Sequence, residues 1–180
     1  MTVVFLPDNT VLCNFAAVSQ LDLLRRLLDG NGQWTEAVAF EASNSESYFP
    51  DLATIRTDGW LGDPLEIDDS IEERQVEGIR KAAFGGTSAE PLKHLGESQT
   101  IFIIRNWDSH AGATWISDDQ ESLRYARRQM IGVKETKNLI AEAAQLGWLT
   151  AAEGYAMMQQ MAAQGRNPSM PASATELMNL

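Results

Sequence analysis

The chain has 180 residues, 44% hydrophobic and 22% charged, an ordinary globular composition with enough length for one domain with a real core and too little for two comfortable ones. Fourteen Lys and Arg against 25 Asp and Glu give a net charge of −11, which opposes nucleic-acid binding at long range unless carboxylates take up cations or basic residues cluster locally. One cysteine, Cys13, excludes an internal disulfide and fits a reducing compartment.

Thr2–Leu6 is a short apolar, β-branched run that predicts a buried strand, with Pro7 at its end and Asp8 at its carboxyl side. No basic leader or long apolar run precedes it, and no apolar run approaches the ~20 residues needed to span a bilayer, so the expectation is a cytoplasmic protein without membrane contact. Asn9 is placed to cap a short helix over 10–17, and Ser19 a second helix with Leu21, Leu24 and Leu28 on one face. Asp29-Gly30-Asn31-Gly32 ends it. Gln33-Trp34 fits a short strand, and Thr35 caps a helix over 36–43. Residues 44–70 carry Pro50, Gly59, Gly62 and Pro64 without a sustained period, and Trp60, Leu61, Leu65 and Ile67 fit a short strand. Ser70 caps a helix to Phe84, which Gly85-Gly86 breaks. A helix over 96–107, a strand over 113–117, a helix over 118–129 and a strand over 130–133 follow. Helices over 136–145 and 150–164 come next, and 167–180 reads as a flexible C-terminal tail. Short apolar runs alternating with helices predict an α/β fold, a three-layer αβα sandwich around a central, mainly parallel sheet.

In such sheets chemistry sits outside the carboxyl ends of the strands, and Asp8 lies there. Asp118-Asp119 occupies the same position after the strand over 113–117. Glu41 shares a helix face with Ala37 and Val38, and Glu97 one with Ile101 and Ile104, so both are directed toward the core. Inward carboxylates are costly unless paired or bound to a cation, and four of them suit Mg²⁺ or Mn²⁺, hard ions that take oxygen ligands. One or two such ions held by carboxylates make a phosphodiester-cleaving centre, because they generate hydroxide from water near neutral pH and stabilise the attacking and leaving oxygens. Each acid also has a plainer role: Asp8, Asp118 and Asp119 as helix caps, Glu97 as a first-turn acid, and Glu41 as a solvated side chain.

The blocks Asp8-Asn9-Thr10-Val11-Leu12, Glu36-Ala37-Val38-Ala39-Phe40-Glu41, Leu95-Gly96-Glu97 and Ile116-Ser117-Asp118-Asp119 resemble, in order and spacing, the four acidic blocks of the PIN domain, the metal-dependent nuclease fold of VapC-type toxins. The resemblance spans roughly residues 3–165 and implies a PIN-like nuclease domain over 1–166. It implies a ribonuclease that hydrolyses RNA phosphodiester bonds with Mg²⁺ or Mn²⁺. Asp8, Glu41, Glu97 and Asp118 would be the catalytic, metal-holding quartet, and Asp119 an accessory ligand or a cap. It further implies a toxin that forms a homodimer and is blocked by a protein antitoxin.

Gln99 and Thr100 stand where the third block often carries a second acid. With the acidic balance, they favour the competing reading, a non-catalytic PIN-like interaction module. A receiver domain would need its acidic pair on the first strand, whereas here the pair follows a late one. Two basic groups, Arg124, Arg127 and Arg128 and then Arg74, Arg80 and Lys81, are candidates to track a phosphate backbone, with surface ion pairing as the plainer role. His94 and His110 lack the spacing of a zinc site. Asn9 and Ser117 are candidates to position substrate or water, or to cap helices. Cys13 and most of the five Trp residues read as core.

Overall fold

The computed structural model describes residues 3–180, so Thr2, the first residue of the expected opening strand, lies outside the described residues. The chain runs β1 (Phe5–Pro7), α1 (Asn9–Ala16), α2 (Leu21–Leu28), α3 (Glu36–Ser45), α4 (Ala53–Asp58), α5 (Ser70–Phe84), α6 (Leu95–Asn106), β2 (Thr114–Ile116), α7 (Gln120–Arg128), β3 (Gly132–Lys134), α8 (Thr136–Gln145), α9 (Ala151–Ala163) and α10 (Ala174–Leu177). Among the described residues the strands form one parallel sheet in the order β1-β2-β3, with Leu6 opposite Trp115 and Trp115 opposite Val133. The expected strands near Gln33 and Leu65 reduce to single parallel bridges, Phe5 with Gly32 and Thr35 with Leu65, which extend the sheet past β1. Pro64 and the two glycines before it, Gly59 and Gly62, leave no run of alternating residues long enough for a ladder there.

The period of two along the strands divides the core into layers. Leu6 and Trp115 point to one face and pack with Ile101, Ile104, Ala126 and Ile131 of the α6–α7 side. Phe5 and Ile116 point to the other, against α1, α2, α8 and α9 through Leu12, Phe15, Leu24, Leu139 and Met158. This is the expected α/β sandwich with helices on both faces of a parallel sheet.

Local chemistry sets the helix starts. Thr35 Oγ1 accepts from Val38 N at 3.3 Å and opens α3 as expected. Three caps differ from expectation by one residue, the first being Asp8, which stands at the cap of α1 in place of Asn9. Asp69 rather than Ser70 caps α5, accepting from the backbone of Ile71 and Glu72 at 2.8 and 3.1 Å. Ser19 takes a left-handed φ of 53° in the link, and Gln20 stands at the start of α2.

Beyond residue 166 the chain carries α10, and Leu177 is fully buried. It packs over Gly154, where an added Cβ would sit 3.0 Å from Leu177 Cδ2 and 2.8 Å from Ile140 Cγ2. Leu177→Ala should lower the unfolding free energy in urea by about 2–5 kcal/mol, the usual cost of truncating a buried leucine. A change within about 0.5 kcal/mol, typical of a surface position, would mean that α10 does not hold its place in solution.

Candidate functional site

Parallel pairing of β1 with β2 brings their carboxyl ends side by side. Asp8 N donates to Ile116 O at 2.8 Å, and Ser117 N donates to Lys134 O at 3.1 Å, so Asp8, Ser117-Asp118 and Glu135 follow three adjacent strands. Asp8 is 6% exposed. Its Oδ1 accepts from Asn9 N at 2.7 Å, and its Oδ2 from Thr10 Oγ1 and Ser117 Oγ at 2.8 and 3.1 Å. Asp8 therefore occupies the cap position of α1 and is also the acid at the strand end, with its carboxylate clamped from two elements.

Glu41 and Glu97 reach this corner because α3 and α6 pack at close range. Gly96 makes that possible: a Cβ there would lie 3.1 Å from Val38 Cγ2 and 3.4 Å from Glu41 Oε1. Gln99, where the family pattern often has an acid, ties the same two helices. Its Oε1 accepts from Ala37 N at 3.1 Å and its Nε2 donates to Glu36 Oε1 at 2.8 Å. Glu97 Oε1 lies 3.1 Å from His94 Nδ1, and the His94 ring stacks on Phe84 with centroids 5.6 Å apart.

Burial and neighbouring charge raise the proton affinity of two of these acids, Asp8 and Glu41. Burial, then the Glu97 charge, pushes Asp8 up to about 6 despite its three donors. Burial, then the charges of Asp8 and Glu97, pushes Glu41 up to about 8. Beside them an open groove of about 610 Å³, lined by Ala37, Phe40, Glu41, Asn44, Leu92 and Leu95, leads to Glu41 from solvent.

Asp118 belongs to a second network. Its Oδ1 accepts from Thr136 N at 3.0 Å and its Oδ2 from Asn14 Nδ2 at 2.6 Å and Thr136 Oγ1 at 2.5 Å. Burial raises its pKa, and the neighbouring charge that adds to the effect is Glu135. Asp119 caps α7, accepting from Ser122 N at 2.6 Å. Ser117 joins the two networks, since its Oγ donates to Asp8 and accepts from Asp119 N at 3.2 Å. The structure thus brings Asp8, Glu41 and Glu97 together and sets Asp118 beside them among Asn14, Thr136 and Glu135. Among the described residues no three His, Cys, Asp or Glu side chains converge closely enough in this conformation to ligate one ion.

Several residues of this corner were not singled out from the sequence. Glu135, 6% exposed, directly follows β3, and the strand-end logic that marked Asp8 and Asp118 applies to it equally. Asn14, Thr136 and Arg166 carry no such mark, because they meet Asp118 or one another only across 18 to 152 residues of chain. The basic groups look different in three dimensions. Arg80 is 1% exposed and its guanidinium binds Glu77 and the carbonyls of Thr87, Glu90 and Lys93, so it faces no substrate. Arg127 lies 3.7 Å from Glu135. No helix among the described residues is long and apolar enough to cross a membrane.

No family model matches this chain, and no curated protein or solved structure matches it either.

The sign of the pH effect follows from the raised values. Protonated Asp8 and Glu41 favour the folded state. The associated stability is complete below their ordinary values of 3.8 and 4.5, and is lost as pH rises through about 6 and about 8. In EDTA the protein should therefore lose on the order of 2 kcal/mol or more between about pH 5 and about pH 8, and Glu41→Gln should flatten the upper part of that fall. A melting temperature that climbs over the same interval would contradict the burial of these acids.

Proposed function

We propose that this chain is a metal-dependent ribonuclease of the PIN type, hydrolysing RNA phosphodiester bonds. The observation that supports this most is the meeting of a buried Asp8 with half-buried Glu41 and Glu97, from a strand end and two helices, in one corner where their charges oppose each other. The donor set fits a hard divalent cation such as Mg²⁺ or Mn²⁺, since it offers carboxylate oxygens and no thiolate or imidazole pair. When bound, such an ion activates water near neutral pH and offsets charge on the phosphate oxygens. Asp8, Glu41 and Glu97 are the residues that would hold it, with Asp118 beside them and Asp119 capping α7.

The chain's own groups prepare the corner. Thr10 and Ser117 hold the Asp8 carboxylate in one orientation before any ligand arrives. Glu41, raised to about 8, keeps its proton near neutral pH and gives it up when a cation binds. The groove past Phe40 and Leu92 leaves Glu41 open to a strand of substrate. The PIN resemblance extends the proposal to a cytoplasmic toxin, homodimeric and restrained by a protein antitoxin.

The alternative, a non-catalytic interaction module on the same fold, draws on Gln99. There the second acid of the PIN pattern is replaced by an amide that joins α3 and α6 through both its oxygen and its nitrogen.

With Mn²⁺ the wild type should cleave a structured RNA. Asp8→Asn should slow cleavage by more than about 100-fold, the upper end of what losing an outer partner costs a metal site. Calorimetry of Mn²⁺ binding in two buffers of different ionisation enthalpy should show proton release near pH 7, reduced in Glu41→Gln. Absence of both cleavage across several RNAs and Mn²⁺ binding would leave the interaction module as the better reading.

A further inference from the structure

A site made of opposed acids still has to receive a phosphate, in a chain of net charge −11. Arg166 stands where that need arises. It follows the C-terminal turn of α9, and its Nε–H donates to Asn14 Oδ1 at 3.0 Å. One face of the guanidinium is turned to Phe49, with its carbon 5.7 Å from the ring centroid. The same Asn14 amide donates to Asp118 Oδ2 at 2.6 Å, so the guanidinium stands one side chain away from that acid. Among the described residues Nη1 and Nη2 have no hydrogen-bond acceptor, and the guanidinium has no ion-pair partner.

Arg166 reaches Asp118 through a relay. The Asn14 amide, 2% exposed, spends Nδ2 on Asp118 Oδ2 at 2.6 Å and Thr136 Oγ1 at 3.2 Å, which turns Oδ1 toward Arg166. Thr136 N in turn holds Asp118 at 3.0 Å. Asp118, Asn14 and Arg166 thus form one directed chain from the end of β2 to a guanidinium fork whose outer nitrogens remain free. A planar fork of this kind matches two oxygens of a phosphate.

We infer that Arg166 anchors the substrate phosphate at the acidic corner, its two Nη groups donating to the non-bridging oxygens of an RNA phosphodiester, and that Asn14 and Asp118 are positioning residues that aim it. The inference rests on the ribonuclease reading for the identity of the substrate. The free fork itself stands on the geometry alone.

Two measurements test it, the first of them independent of cleavage. In EDTA, titration of the wild type with inorganic phosphate should shift the Arg166 Nε–Hε resonance saturably, with the signal assigned through Arg166→Lys. Asn14→Ala should remove the shift. With Mn²⁺ and a cleavable RNA, Arg166→Ala should raise KM by roughly 10- to 100-fold, the range of one charge-assisted contact, and leave Mn²⁺ affinity unchanged. Arg166→Lys should recover part of the loss, and Asp118→Ala should reproduce the KM effect while still binding Mn²⁺. No phosphate shift at Arg166 together with an unaltered KM in Arg166→Ala would overturn the anchor, even if the wild type cuts RNA. Loss of Mn²⁺ binding in Asp118→Ala would make Asp118 a ligand and overturn its positioning role. A phosphate shift in a protein that cuts no RNA would keep the anchor and remove the ribonuclease reading instead.

Discussion

Three carboxylates that would separate in water are held in one corner, and the surrounding structure is arranged around the cost of keeping them there. Burial removes the solvent that would screen Asp8 and part of that around Glu41, so Asp8 feels Glu97, and Glu41 feels both Asp8 and Glu97. The forces that keep them together are packing forces. The register of β1 on β2 places Asp8, and the close approach of α6 to α3 at Gly96 places the two glutamates. Neither contact depends on the acids, and the core on both faces of the sheet supplies the stability that the corner consumes.

The corner is also divided. On one side Asp8 is oriented by hydroxyls and a backbone amide and shares its field with Glu41 and Glu97. On the other, Asp118 is saturated by donors from α1 and the start of α8. A single hydroxyl, Ser117 Oγ, spans the boundary, giving its proton to Asp8 and accepting from the cap of α7. Its direction is therefore set by both sides at once, and the two networks cannot reorient independently.

How far this was visible in the sequence depended on the range of the interaction involved. Asp8 and the Asp118-Asp119 pair stood out because strand ends and caps are local signals, and Thr35 and Gly85 marked helix boundaries for the same reason. The inward bias of Glu41 and Glu97 was readable from helical phase, but their meeting was not. It requires a glycine contact between helices more than fifty residues apart in the chain. Asn14 and Arg166 were silent, because an amide and a surface-type cation acquire meaning only from the partner that faces them. Arg80 was misleading, since a basic residue on an exposed-looking helix turned out to be among the most buried side chains. Leu177 lay in a Pro- and Ser-rich stretch whose composition hid its contact with Gly154.

Arg80 grips the segment between α5 and α6 through main-chain oxygens of Thr87, Glu90 and Lys93, with Gly86 pressed against the guanidinium. A grip on carbonyls is indifferent to side-chain identity. The side chains at 87–93 are thereby released from any duty to shape their own loop, while the backbone that leads to His94 and Glu97 keeps its course. One wall of the groove is thus a surface on which substitution can accumulate, and what the groove admits can drift over evolutionary time without disturbing the acids behind it.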